Sequence, residues 1–167
     1  MTMSDLLFAG VVIGVGGTAV MDAWGLMLRR LGVATLDFAL VGRWVGHLAK
    51  GRVMHQAIGQ AEPVRHERVL GWGVHYGIGI VFAMVLVGIV GDDWLSAPSL
   101  WPALLVGVAT VIAPLCVMQP AMGAGFFASK TAKPVANCIK SLVTHMVFGC
   151  GLYLSAELMA GLMRLNS

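Results

Sequence analysis

Three ionisable side chains stand inside long apolar runs of this sequence: Asp22, His75 and His145. A carboxylate and two imidazoles can hold a metal ion or a small polar ligand, or accept and release protons near neutral pH. Met118 and Gln119 place a thioether and an amide oxygen in a further apolar run. His47, His55 and His66 lie in a basic stretch between runs. If that stretch folds back onto the bundle, His47 and His55 join His75 and His145 as imidazole ligands for a divalent metal. His47 and His55 are two helical turns apart with about 80° of offset, so they meet one ion only if glycines bend the chain between them.

The elements that must carry these residues follow from composition. Of 167 residues, 58% are hydrophobic and 11% charged, with a mean hydropathy of +0.84. A water-soluble domain carries roughly a quarter charged residues, so a soluble fold is excluded. The length suits four membrane-crossing helices of about 20 residues and leaves no room for a separate catalytic domain. The runs place the spans at about 6–28, 69–91, 102–123 and 141–163. The expected architecture is thus all-α, a single four-helix transmembrane domain over 1–167. The first run lacks a basic leader and is longer than a signal-peptide core, so it is expected to be retained. Pro114 and Pro120 should kink the third span.

Charge sets the expected orientation. Arg29, Arg30, Arg43, Lys50, Arg52, Arg65 and Arg68 fall between the first two spans, and Lys130, Lys133 and Lys140 between the last two, leaving only Arg164 elsewhere. Lys and Arg accumulate in short cytoplasmic loops, so both termini are expected on the periplasmic side of a bacterial inner membrane. Within the first basic segment, Val41, Trp44, Val45, Leu48, Met54 and Ile58 recur at helical spacing. Residues 36–60 therefore read as an amphipathic segment in the interface, against anionic lipid headgroups, with Gly46 and Gly51 able to divide it.

Counting along the spans at about 1.5 Å per residue puts Asp22, His75 and His145 about 6 to 9 Å inside the cytoplasmic boundary, with Met118 and Gln119 at a similar level. An ionised group in hydrocarbon costs about 2.5 to 3.5 kcal/mol, so Asp22 is expected to point into the bundle. His75, Gly79 and Ala83 share one helical face, as do Ser141, His145 and Gly149. Small residues on those faces let a neighbouring helix approach beside each imidazole.

Other chemistry has no motif behind it. G-x-S-x-G, Walker A, H-E-x-x-H and the dense histidine boxes of membrane desaturases are absent, so the reading leans away from an enzyme. Cys116, Cys138 and Cys150 have no paired spacing and read as small buried hydrophobes. The basic residues are explained by membrane orientation, not by nucleic acid.

The run Gly42-Arg43-Trp44-Val45-Gly46-His47, then Gly51-Arg52-Val53-Met54-His55, Gly71-Trp72-Gly73-Val74-His75-Tyr76, Met118-Gln119-Pro120 and the late His145 together resemble the bacterial membrane-protein family called domain of unknown function 2938. The likeness spans nearly the whole chain. It implies a small multi-span inner-membrane protein and no particular activity.

The leading expectation is a polar site in the cytoplasmic half, built from Asp22, His75, Gln119 and His145 beside Met118 and roofed by His47 and His55. Such a site would bind a metal ion or small polar ligand, or serve proton-linked transport. One alternative is a haem clamped by His75 and His145 in a redox protein. Another is a structural or assembly subunit whose glycine-rich faces dock a second copy or another membrane protein.

Overall fold

The computed structural model describes residues 2–165, and its regular structure is helical. In chain order the elements are α1 (Met3–Arg30), α2 (Phe38–Leu48), a 3-10 turn (Ile58–Gln60), α3 (Glu67–Ser96), α4 (Leu100–Ala109), a π-helical stretch (Ala113–Met118), α5 (Gln119–Ala121), a second 3-10 turn (Phe126–Ala128) and α6 (Pro134–Leu165). Four stretches are long and apolar enough to cross a membrane: Met3–Arg30, Glu67–Ser96, Leu100–Ala121 and Pro134–Leu165. The chain is an all-α multi-pass membrane protein with a short helix between its first two spans.

The outward surface agrees with that reading. Ile89, Trp101 and Leu158 are 72%, 70% and 71% exposed. Facing water, such apolar side chains would promote aggregation; in a bilayer they meet acyl chains. The first span begins slightly before the charge-free stretch, where its end is capped. Thr2 and Asp5 form a reciprocal capping box at the start of α1, with Thr2 N–H donating to Asp5 Oδ2 at 2.8 Å. Near the end of α3, at the boundary expected from the sequence, Gly91 breaks the helical dihedrals with φ 71°.

The chain forms two compact units. The first comprises Met1–Val33, Tyr76–Thr110 and Thr144–Ser167. Its core holds Ile13, Leu86 and Leu152 with no exposed surface. Here α4 and α6 meet nearly backbone to backbone: a Cβ on Gly107 would lie 2.6 Å from Gly149 Cα and 2.7 Å from the His145 carbonyl oxygen. Association between membrane helices rests on such close packing, since lipid tails are as apolar as the helices. Thr18 donates its hydroxyl to Gly14 O at 2.7 Å and Ser155 to Gly151 O at 2.8 Å, so these polar groups are satisfied within their own helices.

The second unit comprises Ala34–His75 and Val111–Val143. Asp37 caps α2, accepting from Ala39 N–H at 2.9 Å. The amphipathic segment expected over 36–60 is helical only through Leu48. Gly51 turns the chain at φ 77°, a left-handed conformation that glycine adopts without a Cβ penalty. Gly46 stays inside α2, where its missing side chain leaves room for Val64.

Residues 49–57 then run back along α2, with Trp44 Nε1–H donating to Val53 O at 2.9 Å. At Gly42 and Gly71 the backbones of α2 and early α3 touch: a Cβ on Gly42 would overlap Glu67 O and stand 2.7 Å from Gly71 N.

The third span is interrupted as its prolines require. Proline has no N–H to donate, and around Pro114 the α-helix gives way to the π-helical Ala113–Met118. Gly123, at φ 97°, then turns the chain after α5.

Candidate functional site

In the second unit the turn at Gly51 brings His55 against His47. His47 is buried at 3% exposure, with its Nδ1 2.8 Å from His55 Nε2 and its Nε2 3.0 Å from Glu62 O. A backbone carbonyl can only accept, so His47 Nε2 carries a hydrogen. In a neutral ring its Nδ1 is then a lone pair, and His55 Nε2–H donates to it. The remaining atom of this chain, His55 Nδ1, is therefore a lone pair. It is buried and meets no hydrogen-bonding partner.

A second buried acceptor without a partner, Gln119 Oε1, belongs to the same unit. It sits where the π-helical stretch passes into α5, and residues 55–58 bond to this region through the backbone. His55 N–H donates to Ala121 O at 2.8 Å and Ile58 N–H to Met122 O at 3.0 Å. An unfilled buried acceptor costs about 1 to 3 kcal/mol, and buried polar groups are rarely left so.

An ion pair braces this corner. Arg43 Nε and Nη2 each donate at 2.8 Å to the two oxygens of Glu67, a fork-on-fork contact with side-chain exposures of 12% and 18%. Arg43 Nη1 also reaches Ala61 O at 3.1 Å, and Glu67 Oε2 accepts from Val64 N–H at 3.1 Å. The hydrogen-bonded Glu67 carboxylate holds the Arg43 proton more firmly than usual. The loop bearing Glu62 is thus pinned from both ends.

The other expected residues have their own partners. His75 stacks on Phe38 at 4.2 Å between ring centroids and lies edge-on to Trp72 at 5.8 Å. Met118 closes the π-helical stretch. In the first unit, Asp22 Oδ2 accepts from Tyr76 O–H at 2.9 Å, and His145 Nδ1 lies 2.8 Å from Thr110 Oγ1, which itself donates to Gly107 O at 2.6 Å. Because the Thr110 proton goes to the carbonyl, His145 Nδ1 donates to the hydroxyl.

Among the described residues no three His, Cys, Asp or Glu side chains gather as a metal site. Both nitrogens of His47 are engaged in hydrogen bonds, one of them with His55. Sequence reasoning missed Tyr76, Thr110 and the Arg43–Glu67 pair. Tyr76 follows His75 directly and was open to view, whereas Arg43 and Glu67 are 24 residues apart with no periodicity joining them.

The model of a family described as protein of unknown function (DUF2938) matches residues 11–159. No curated protein and no solved structure matches the chain.

Proposed function

From a chain that belongs to the DUF2938 family and is built to cross the bilayer several times, we propose a membrane protein that binds a small polar, hydrogen-bond-donating ligand in its second unit, as a step in proton-linked transport. The observation that carries this is the His47–His55 chain, which ends on a buried lone pair in the same unit as the unfilled Gln119 oxygen. Two neutral acceptors favour a donor such as an ammonium or amine group, and they offer nothing to an anion. Asp22 with Tyr76 and His145 with Thr110 are separate polar stations of the first unit, each suited to receive or pass a proton within a span.

Thermal unfolding in lipid nanodiscs tests the binding. Methylammonium chloride is expected to raise the melting temperature with dose, and tetramethylammonium chloride, equal in charge but lacking N–H donors, is expected not to. His55→Ala should abolish the difference. Equal responses to both salts in the unaltered protein would remove the proposal. So would a Soret band or stoichiometric metal in the purified protein, which would put a resident cofactor in its place.

We further propose that the basic segments face the cytoplasm and its anionic headgroups, with both termini periplasmic. The support is the confinement of all Lys and Arg but Arg164 to the segments 29–68 and 130–140, the two connections and the helix ends beside them. In a background without native cysteines, Asp93→Cys should react with a membrane-impermeant maleimide added outside intact cells, and Lys133→Cys only after lysis. The reverse pattern overturns the orientation.

A further inference from the structure

We infer that the His47–His55 pair is a single-mouthed proton site, which takes up one proton at His55 Nδ1 and returns it by the same atom. This rests on the reading of the second unit as the polar-ligand site and deepens it by naming the proton as an occupant.

The direction of the chain decides the mouth. At one end, His47 Nε2–H points to the Glu62 carbonyl, which accepts a hydrogen bond but does not take the proton. No transfer runs on past that carbonyl, so the pair stores a proton and is not a wire. At the other end, the His55 Nδ1 lone pair is buried without a partner. Protonation there turns the His55 ring into an imidazolium and disturbs nothing: Nε2–H still donates to His47 Nδ1, and His47 Nε2–H still donates to Glu62 O. The new Nδ1–H needs an acceptor, and we assign it Gln119 Oε1, itself buried and unfilled two residues before the carbonyl that receives His55 N–H.

A second proton is refused on geometric grounds. The only ring nitrogen left to take it is His47 Nδ1, and both facing nitrogens, 2.8 Å apart, would then be donors on two cationic rings.

Of the surrounding charges, the Glu67 carboxylate acts on His47 electrostatically, and Arg43, bound to both of its oxygens, offsets it as a counter-ion. On α2, Arg43 is bound to Glu67 of α3, and Lys50 and Arg52 follow the helix as exposed cations. The 58–66 loop brings Glu62, bonded to the pair through its carbonyl, with Arg65 and His66, while the segment 119–122 carries no ionisable group.

Magic-angle-spinning NMR of histidine-15N-labelled protein in bilayers tests this, with His47→Gln and His55→Gln used to assign the signals. At about pH 8, near which imidazoles are largely neutral, both rings are expected to carry their hydrogen on Nε2. On acidification the two rings should shift together in one step worth one proton. Gln119→Met should weaken proton uptake about tenfold, the loss of one charge-assisted hydrogen bond.

A His55 hydrogen on Nδ1 in the neutral state, or two independent protonations, overturns the inference, and the wild-type spectra alone decide both. An unchanged titration in Gln119→Met overturns the part given to Gln119. A one-step titration without any methylammonium effect keeps the proton and removes the external ligand, whereas two steps with the methylammonium effect intact do the opposite.

Discussion

Gly42→Val is expected to undo the docking of α2 on α3 and to cost at least about 3 kcal/mol, because the new Cβ collides with the Glu67 carbonyl and the Gly71 nitrogen, which are backbone and cannot rotate aside. A clash with a flexible side chain would relax; a clash between two helix backbones moves a whole helix. Gly73→Ala is the control. It lies on α3, but a Cβ there meets nothing within 4 Å, so its thermal unfolding in nanodiscs should match the unaltered protein. The His47–His55 contact depends on α2 keeping its place, so the Gly42 variant should also lose the coupled histidine signals. An unchanged melting temperature for Gly42→Val would show that the close approach of the two helices is not what holds this unit.

Arg43→Ala is expected to cost about 3 kcal/mol, the typical penalty for leaving one partner of a mostly buried ion pair alone. The loss exceeds the two short bonds to Glu67, since the carbonyl of Ala61 also loses its donor. Glu62 stands next to Ala61, so the acceptor that fixes the His47 tautomer is freed as well. Arg43→Lys keeps the charge but not the planar fork and should fall between the two. A double-mutant cycle with Glu67→Ala checks the assignment: removing both partners should cost clearly less than the sum of the single losses. Additive losses would mean that the pair is ornamental.

The spans were legible because each is a local property of the chain. A run of apolar residues longer than the hydrocarbon thickness can form no other regular structure in lipid than a helix that satisfies its own backbone, and Pro114 marks its own break in the ladder. The amphipathic pattern of 36–60 misled by half. Val41, Trp44, Val45 and Leu48 do lie on α2, but Met54 and Ile58 repeat the spacing from a returning segment outside it, Ile58 at the start of a 3-10 turn. Gly51 carried the information that separates them, and its sign of φ is not written in hydropathy.

The candidate residues show the same division. His47 and His55 were visible as imidazoles, and the condition for their meeting, a glycine bend, was visible too. Their role was not. How two histidines meet depends on which ring nitrogen faces which atom, and here His47 Nε2 faces the Glu62 carbonyl, 15 residues away in the chain, beside Ala61, whose carbonyl accepts from Arg43. Composition and run length, which act through the solvent each residue prefers, determined by themselves that this protein has four long apolar helices and roughly where each lies. Only the tertiary structure decided the partners of its polar groups, because a hydrogen bond in a low-dielectric interior is chosen by angstrom-scale geometry between segments remote in sequence, where burial makes every unfilled lone pair count.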